Sequence, residues 1–245
     1  MKLVKTLRKI FLKFILTYGK KWWFVAAFFL LLYMINIKFV YTSIDFNEKK
    51  LISFLFSVHY PIIDFKDFEL PYLWIIFHLF SMLGISFSIV DLLEKQSTYL
   101  LIRVKSKRIL SVSILISVLE ASLSYVFLFH FFVAVVVYNH HALSLSLVKY
   151  FVLLWLTVMI INYLCLAVYL IFSNSILSFM FSLLVITVAS IADFKYFPLK
   201  SSLILDGQFN QYLTVDSYSW AVLSNILVII ILICTIDFFM KRHTF

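Results

Sequence analysis

Glycine and proline are nearly missing from this chain, with three of each in 245 residues. Gly19, Gly84 and Gly207 stand alone, so no glycine-rich loop can cradle a phosphate and no G-x-x-x-x-G-K-[ST] run exists. The same scarcity argues against a strand barrel, which needs short alternating segments split by turn residues. The two cysteines, Cys165 and Cys234, lie in apolar stretches; they exclude a disulfide framework and read as small packing residues. Charge is scarce too, at 13% of residues against 64% hydrophobic, and mean hydropathy is +1.04. A soluble domain with that balance has almost nothing to cover its surface. No internal repeat or low-complexity linker divides the chain, which reads as one membrane domain over residues 1–245.

What is present is six apolar stretches, at 22–41, 72–90, 109–138, 150–172, 176–192 and 218–240. Each approaches or exceeds the roughly 20 residues that cross a hydrocarbon core of about 30 Å. The expected fold class is therefore an all-α polytopic membrane protein with six transmembrane helices. Only Ser173, Asn174 and Ser175 separate the fourth and fifth stretches. The run from 150 to 192 is too long for one crossing at about 1.5 Å per residue, so a tight polar hairpin is expected there.

Lys and Arg near span ends are retained on the cytoplasmic side. With the N-terminus inside, the inner segments hold 14 of the 21 basic residues, and the outer loops hold eight of the twelve acidic ones. Both termini are expected to be cytoplasmic. The net charge of +9 then requires no nucleic-acid partner.

Residues 1–21 carry a second signal. On a helical wheel Leu3, Val4, Leu7, Ile10, Phe11, Phe14, Ile15 and Tyr18 share one face, with Lys2, Lys5, Lys9, Lys13 and Lys20 opposite. This pattern predicts an amphipathic interfacial helix whose lysines anchor it to anionic lipid, while Arg8 and Leu16 break the pattern. A cleaved signal peptide fits less well, because the following apolar run is span-length and no small-x-small site follows it.

Between the second and third stretches lies DLLEKQSTYLLIRVKSKR, residues 91–108. An acidic start, an apolar middle and a basic end predict a short helix across the membrane surface. Asp91 and Glu94 leaving span two, the Tyr99–Arg103 core, and the cluster Lys105, Lys107 and Arg108 entering span three resemble the permease subunits of ABC-2 type exporters. The likeness is to the six-span permeases of Gram-positive peptide and bacteriocin transport systems, and it extends to the amphipathic N-terminus and the span count. Many members have Gly after the acidic residue and Pro before the Ser-Arg pair, where Gln96-Ser97 and Val104-Lys105 stand here. The resemblance implies that residues 91–108 form a coupling helix docking on a separate ATPase. It also implies that outer segments 45–71 and 193–217 cap an exit.

Glu120 is the one acidic residue deep in a stretch, and Ser113, Ser117 and Ser124 share its face by helical spacing. The stripe either lines a pathway in which Glu120 meets a cationic substrate, or contains a hydrogen-bonded Glu that holds helices together. His140 and His141 are adjacent, point apart and lack a third ligand, so no metal site is expected. His78, His130, Asn36, Asn162 and Asn225 read as interhelical hydrogen-bond partners. Trp22, Trp23, Trp74 and Trp220 read as interface anchors.

The resemblance implies a dimeric permease in the bacterial cytoplasmic membrane, most simply a homodimer, joined to two copies of an ATPase that carries the ATP and Mg. It would export a hydrophobic or amphipathic peptide. No catalytic residue and no cofactor is expected on this chain. An intramembrane enzyme would need a catalytic constellation that the spans lack. A stand-alone immunity or receptor protein, binding a peptide without an ATPase, shares every composition feature.

Overall fold

The computed structural model describes residues 2–40, 52, 55–58, 71–104, 106–137, 145–191, 198–205 and 215–242. Among them α-helix dominates: α1 (Lys2–Phe14), α2 (Lys20–Val40), α3 (Tyr72–Gly84), α4 (Ser86–Val104), α5 (Lys107–Val137), α6 (Leu145–Phe172), α7 (Ser175–Ile191) and α8 (Val215–Arg242). A π-helical turn, Ile15–Gly19, joins α1 to α2. A 3-10 turn, Pro198–Ser202, and a two-residue parallel pairing of β1 (Ser57–Val58) with β2 (Ile204–Leu205) complete the described elements.

Five helical segments are long and apolar enough to cross a bilayer: Leu3–Ile35, Tyr72–Lys95, Lys107–Val135, Leu147–Phe172 and Ser217–Arg242. α7 is a shorter apolar helix of 17 residues, at the lower edge of span length. The chain is an all-α, multi-pass membrane protein in outline. Its surface agrees, for Phe24, Phe127, Ile176 and Trp220 are largely exposed, which only an apolar solvent makes inexpensive.

α6 is the most enclosed helix, packed on α3, α5, α7 and α8, whereas α8 presents most of its surface outward. The turn after α6 is where expected. Ser173 takes φ 54°, the left-handed conformation that ends a helix, and Asn174 Oδ1 accepts a hydrogen bond from Leu177 N at 3.0 Å, capping α7. Small residues let α7 lie close to α6. Ser178 Oγ donates to the Cys165 carbonyl at 2.7 Å, and Ser178, Ser182 and Ala189 are buried.

Two departures from the sequence reading matter for function. The second apolar stretch is distorted at one residue: Ile85, with φ −107° and ψ −69°, separates α3 from α4, while Ile85 N still donates to the Ser81 carbonyl at 2.9 Å and Ile89 N to the Ile85 carbonyl at 3.2 Å. Residues 91–104 are accordingly the continuation of α4 rather than a separate helix. The amphipathic segment also departs from a purely interfacial role. Leu7, Phe11 and Ile15 are buried in the bundle with α1 packed along α5, while Leu3, Ile10 and Tyr18 of the same predicted face stay exposed.

Aromatic and polar contacts lock the core. Tyr125 Oη donates to the Phe77 carbonyl at 2.9 Å, and the Phe77 ring lies 4.9 Å from Tyr125 and 5.5 Å from Phe56. Asn162 meets expectation, accepting from Ser86 Oγ at 2.6 Å across helices. Asn225 Nδ2 reaches Ser201 Oγ at 2.8 Å. Trp74 and Trp23 are buried in protein contacts instead of anchoring at an interface, Trp74 donating to Ser202 Oγ at 2.8 Å; Trp22 and Trp220 are exposed. His78 is fully buried against the Trp74 and Phe77 rings, and its nitrogens have no hydrogen-bond partner among the described residues. The His130 ring sits 4.1 Å from Phe151.

Candidate functional site

α5 carries the polar stripe, and α1 covers part of it. Ser113 and Ser117 are fully buried, and each hydroxyl donates to a carbonyl one turn back, of Ile109 at 2.7 Å and of Ser113 at 2.8 Å. Ser117 Oγ also lies 3.4 Å from the Arg8 carbonyl of α1. Such back-bonding satisfies a hydroxyl inside a helix without an outside partner.

Glu120 lies one turn further on, about 20 Å along α5 from Lys107 at about 1.5 Å per residue. Its carboxylate pairs with Arg8 Nη1 at 3.2 Å, the two side chains being 32% and 35% exposed. Arg8, which looks like a flaw in the amphipathic wheel, is therefore the counter-ion of the isolated acid. Removing a lone carboxylate from water costs several kcal/mol unless a cation meets it, so the pair explains both exceptions at once. No sequence periodicity links positions 112 residues apart.

Beyond the ion pair the face of α5 opens. Ser124 is exposed, its hydroxyl donating to the Glu120 carbonyl at 2.9 Å. It lines a shallow groove of about 500 Å³ with Leu123, Phe127, Leu128 and Phe131. Glu120, Ser124, Phe127 and Phe131 follow i, i+4, i+7, i+11 spacing, so the groove continues the line of the ion pair.

The basic end of the bundle gathers several other predicted residues. Lys107 Nζ donates to the Lys241 carbonyl at 3.1 Å, joining the start of α5 to the end of α8, and Arg108 is exposed. Asp91 pairs with Lys95 at 2.7 Å, one turn apart on α4, and Glu94 is exposed. Tyr99 and Arg103 belong to α4, but their side chains, like all of Lys105, lie outside the described residues. Lys5, Lys9 and Lys13 are exposed on α1; the Lys2 side chain is not among those described. Of the outer segments, residues 45–51, 53, 54, 59–70, 193–197 and 206–214, with His140 and His141, also lie outside the described residues.

Among the described residues, no three of His, Cys, Asp and Glu converge to hold a metal ion. What the site offers is charge next to an apolar trough. Gly19 and Gly84, unremarked in sequence beyond their rarity, form a second notable contact: a Cβ on Gly19 would stand 2.1 Å from the Gly84 carbonyl oxygen. No protein-family model, curated protein or solved structure matches this chain.

Proposed function

We propose that this chain is the permease subunit of an ABC exporter, moving a hydrophobic or amphipathic peptide out of the cell or membrane with energy from a separate ATPase. The observation that carries the reading is the helical arm on the basic side of the bundle. α4 follows the distorted turn at Ile85, runs to Val104 and is followed by α5 from Lys107. A helical arm that begins at a distorted turn and joins two spans is suited to receive a push and pass it to both. In this proposal the arm, with Asp91, Glu94, Tyr99, Arg103, Lys105, Lys107 and Arg108, docks on the ATPase.

The same proposal takes α7 as a sixth span and places both termini in the cytoplasm of a bacterial cell. The α6–α7 hairpin and the Lys107–Lys241 contact support it. Two permease copies, most simply identical, would flank the peptide path, and ATP with Mg would reside on the partner chains.

The test is purification from native membranes in mild detergent, with identification of bound proteins by mass spectrometry, beside an Arg103→Glu, Lys105→Glu variant. A P-loop ATPase retained by the parent and lost by the variant is the expected result. Absence of any ATPase under conditions that preserve such complexes would instead favour a stand-alone immunity protein.

A further inference from the structure

α1 carries Lys2, Lys5, Arg8, Lys9 and Lys13, and no acidic residue occurs before Asp45. Among the described residues Glu120 is the only carboxylate in an ion pair with α1. Glu120 is thus the one described carboxylate paired with a helix that carries five basic residues. Arg8 pairs through Nη1 with Glu120 and stays 35% exposed, its Nε being buried; Lys5, Lys9 and Lys13 are exposed. Excess cationic charge held beside an apolar span calls for an anion that tolerates lipid.

The groove describes the rest of that anion. Its lining, from Leu123 to Phe131, extends about 12 Å along α5, enough for the upper part of an extended acyl chain. Its walls are Leu123, Phe127, Leu128 and Phe131, with the Ser124 hydroxyl already satisfied internally. Polarity falls along α5, from the Arg8–Glu120 pair through Ser124 to Phe131. A diacyl lipid has the same profile.

We infer that the α1–α5 face is a specific binding site for an anionic phospholipid, with its phosphate beside Arg8, at the edge of the basic face of α1, and one acyl chain along Ser124, Phe127 and Phe131. A zwitterionic lipid of the same chains lacks the net charge, and a free phosphate lacks the chain. The inference is independent of any ATPase partner.

The test is the thermal transition of the full chain, purified and delipidated in mild detergent, on titration with dioleoylphosphatidylglycerol, dioleoylphosphatidylcholine or glycerol 3-phosphate. Phosphatidylglycerol alone is expected to raise the transition, saturably. Arg8→Gln is expected to weaken that response about fivefold, as for one basic side chain near a membrane surface. Ser124→Trp, which fills the groove and leaves the ion pair intact, is expected to abolish it. Should Arg8→Gln not fold, Lys5→Gln with Lys9→Gln carries the charge arm at exposed positions, with an expected loss of about 25-fold. Equal shifts with phosphatidylcholine, a shift with glycerol 3-phosphate alone, or an undiminished response in the groove and charge variants would each overturn the site. So would a saturable shift with an amphipathic peptide and none with phosphatidylglycerol.

Discussion

Gly19, in the π-helical turn between α1 and α2, touches the backbone of Gly84, where α3 ends: a Cβ on Gly19 would meet the Gly84 carbonyl oxygen at 2.1 Å. On the other side, a Cβ on Gly84 would meet the Trp23 indole at 2.2 Å. Two of the chain's three glycines thus meet where two irregular helix segments cross. A π-turn widens the helix and often marks a functional position, and glycine lets the backbones approach to contact.

These two glycines differ in what blocks a side chain. Gly19→Ala is expected to lower stability by about 1–3 kcal/mol, since the obstacle is backbone that cannot turn away. Gly84→Ala should be at least partly rescued by Trp23→Ala, because its obstacle is a side chain, whereas Gly19→Ala should not. Thermal unfolding in detergent of the single and paired variants reads the difference; equal rescue of both would refute the assigned contacts.

Arg8 and Glu120 are expected to be energetically coupled. A double-mutant cycle with Arg8→Gln and Glu120→Gln should give a coupling of about 0.5–3 kcal/mol, as for residues in direct contact. The double variant should be more stable than the sum of the single losses implies. Strict additivity would mean that α1 is held on α5 by Leu7, Phe11 and Ile15 alone.

Asn162 holds three helical segments. Its side chain accepts from Ser86 Oγ at 2.6 Å, donates to the Val158 carbonyl at 2.8 Å, and lies 3.5 Å from Ser81 Oγ. Hydrogen bonds between membrane helices average about 0.6 kcal/mol with a maximum near 1.7. Asn162→Ala is therefore expected to cost about 1–2 kcal/mol, and Ser86→Ala less, measured as loss of folded protein against denaturing detergent.

Six crossings require α7 to traverse the membrane. With Cys165 and Cys234 replaced by Ala, a cysteine introduced by Asn174→Cys should resist an impermeant thiol reagent applied to intact cells, and one introduced by Asp193→Cys should react. Protection of both, followed by labelling of both in opened cells, would mean that α7 turns back without crossing.

Local regularities were readable from the chain alone. The α6–α7 boundary predicted at Ser173–Ser175 falls between Phe172 and Ser175, because an apolar run and a polar interruption are properties of neighbours in sequence. Four other stretches, 22–41, 109–138, 150–172 and 218–240, coincide closely with α2, α5, α6 and α8. The second stretch, 72–90, lies within the helical segment Tyr72–Lys95, but hydropathy gives no sign of the distorted turn at Ile85, next to the position where Gly19 and Trp23 pack on Gly84.

The candidate site divides in the same way. Glu120 and its serine stripe were legible from helical spacing, and Arg8 was visible as an exception to the amphipathic wheel. Their pairing was not, because a wheel describes one helix and an ion pair belongs to two. Likewise the tryptophans read alike in sequence, yet Trp74 is enclosed by the turn at Ser202 while Trp220 faces outward. Composition and run length assign lipid as the solvent and helices as the response, since burial of backbone polar groups in a bilayer leaves few alternatives. The meeting of Arg8 with Glu120 and of Gly19 with Gly84 arises from packing. Which faces touch is a property of the assembled bundle, where each apolar face is as comfortable against lipid as against another helix and small residues and buried charges select the contact.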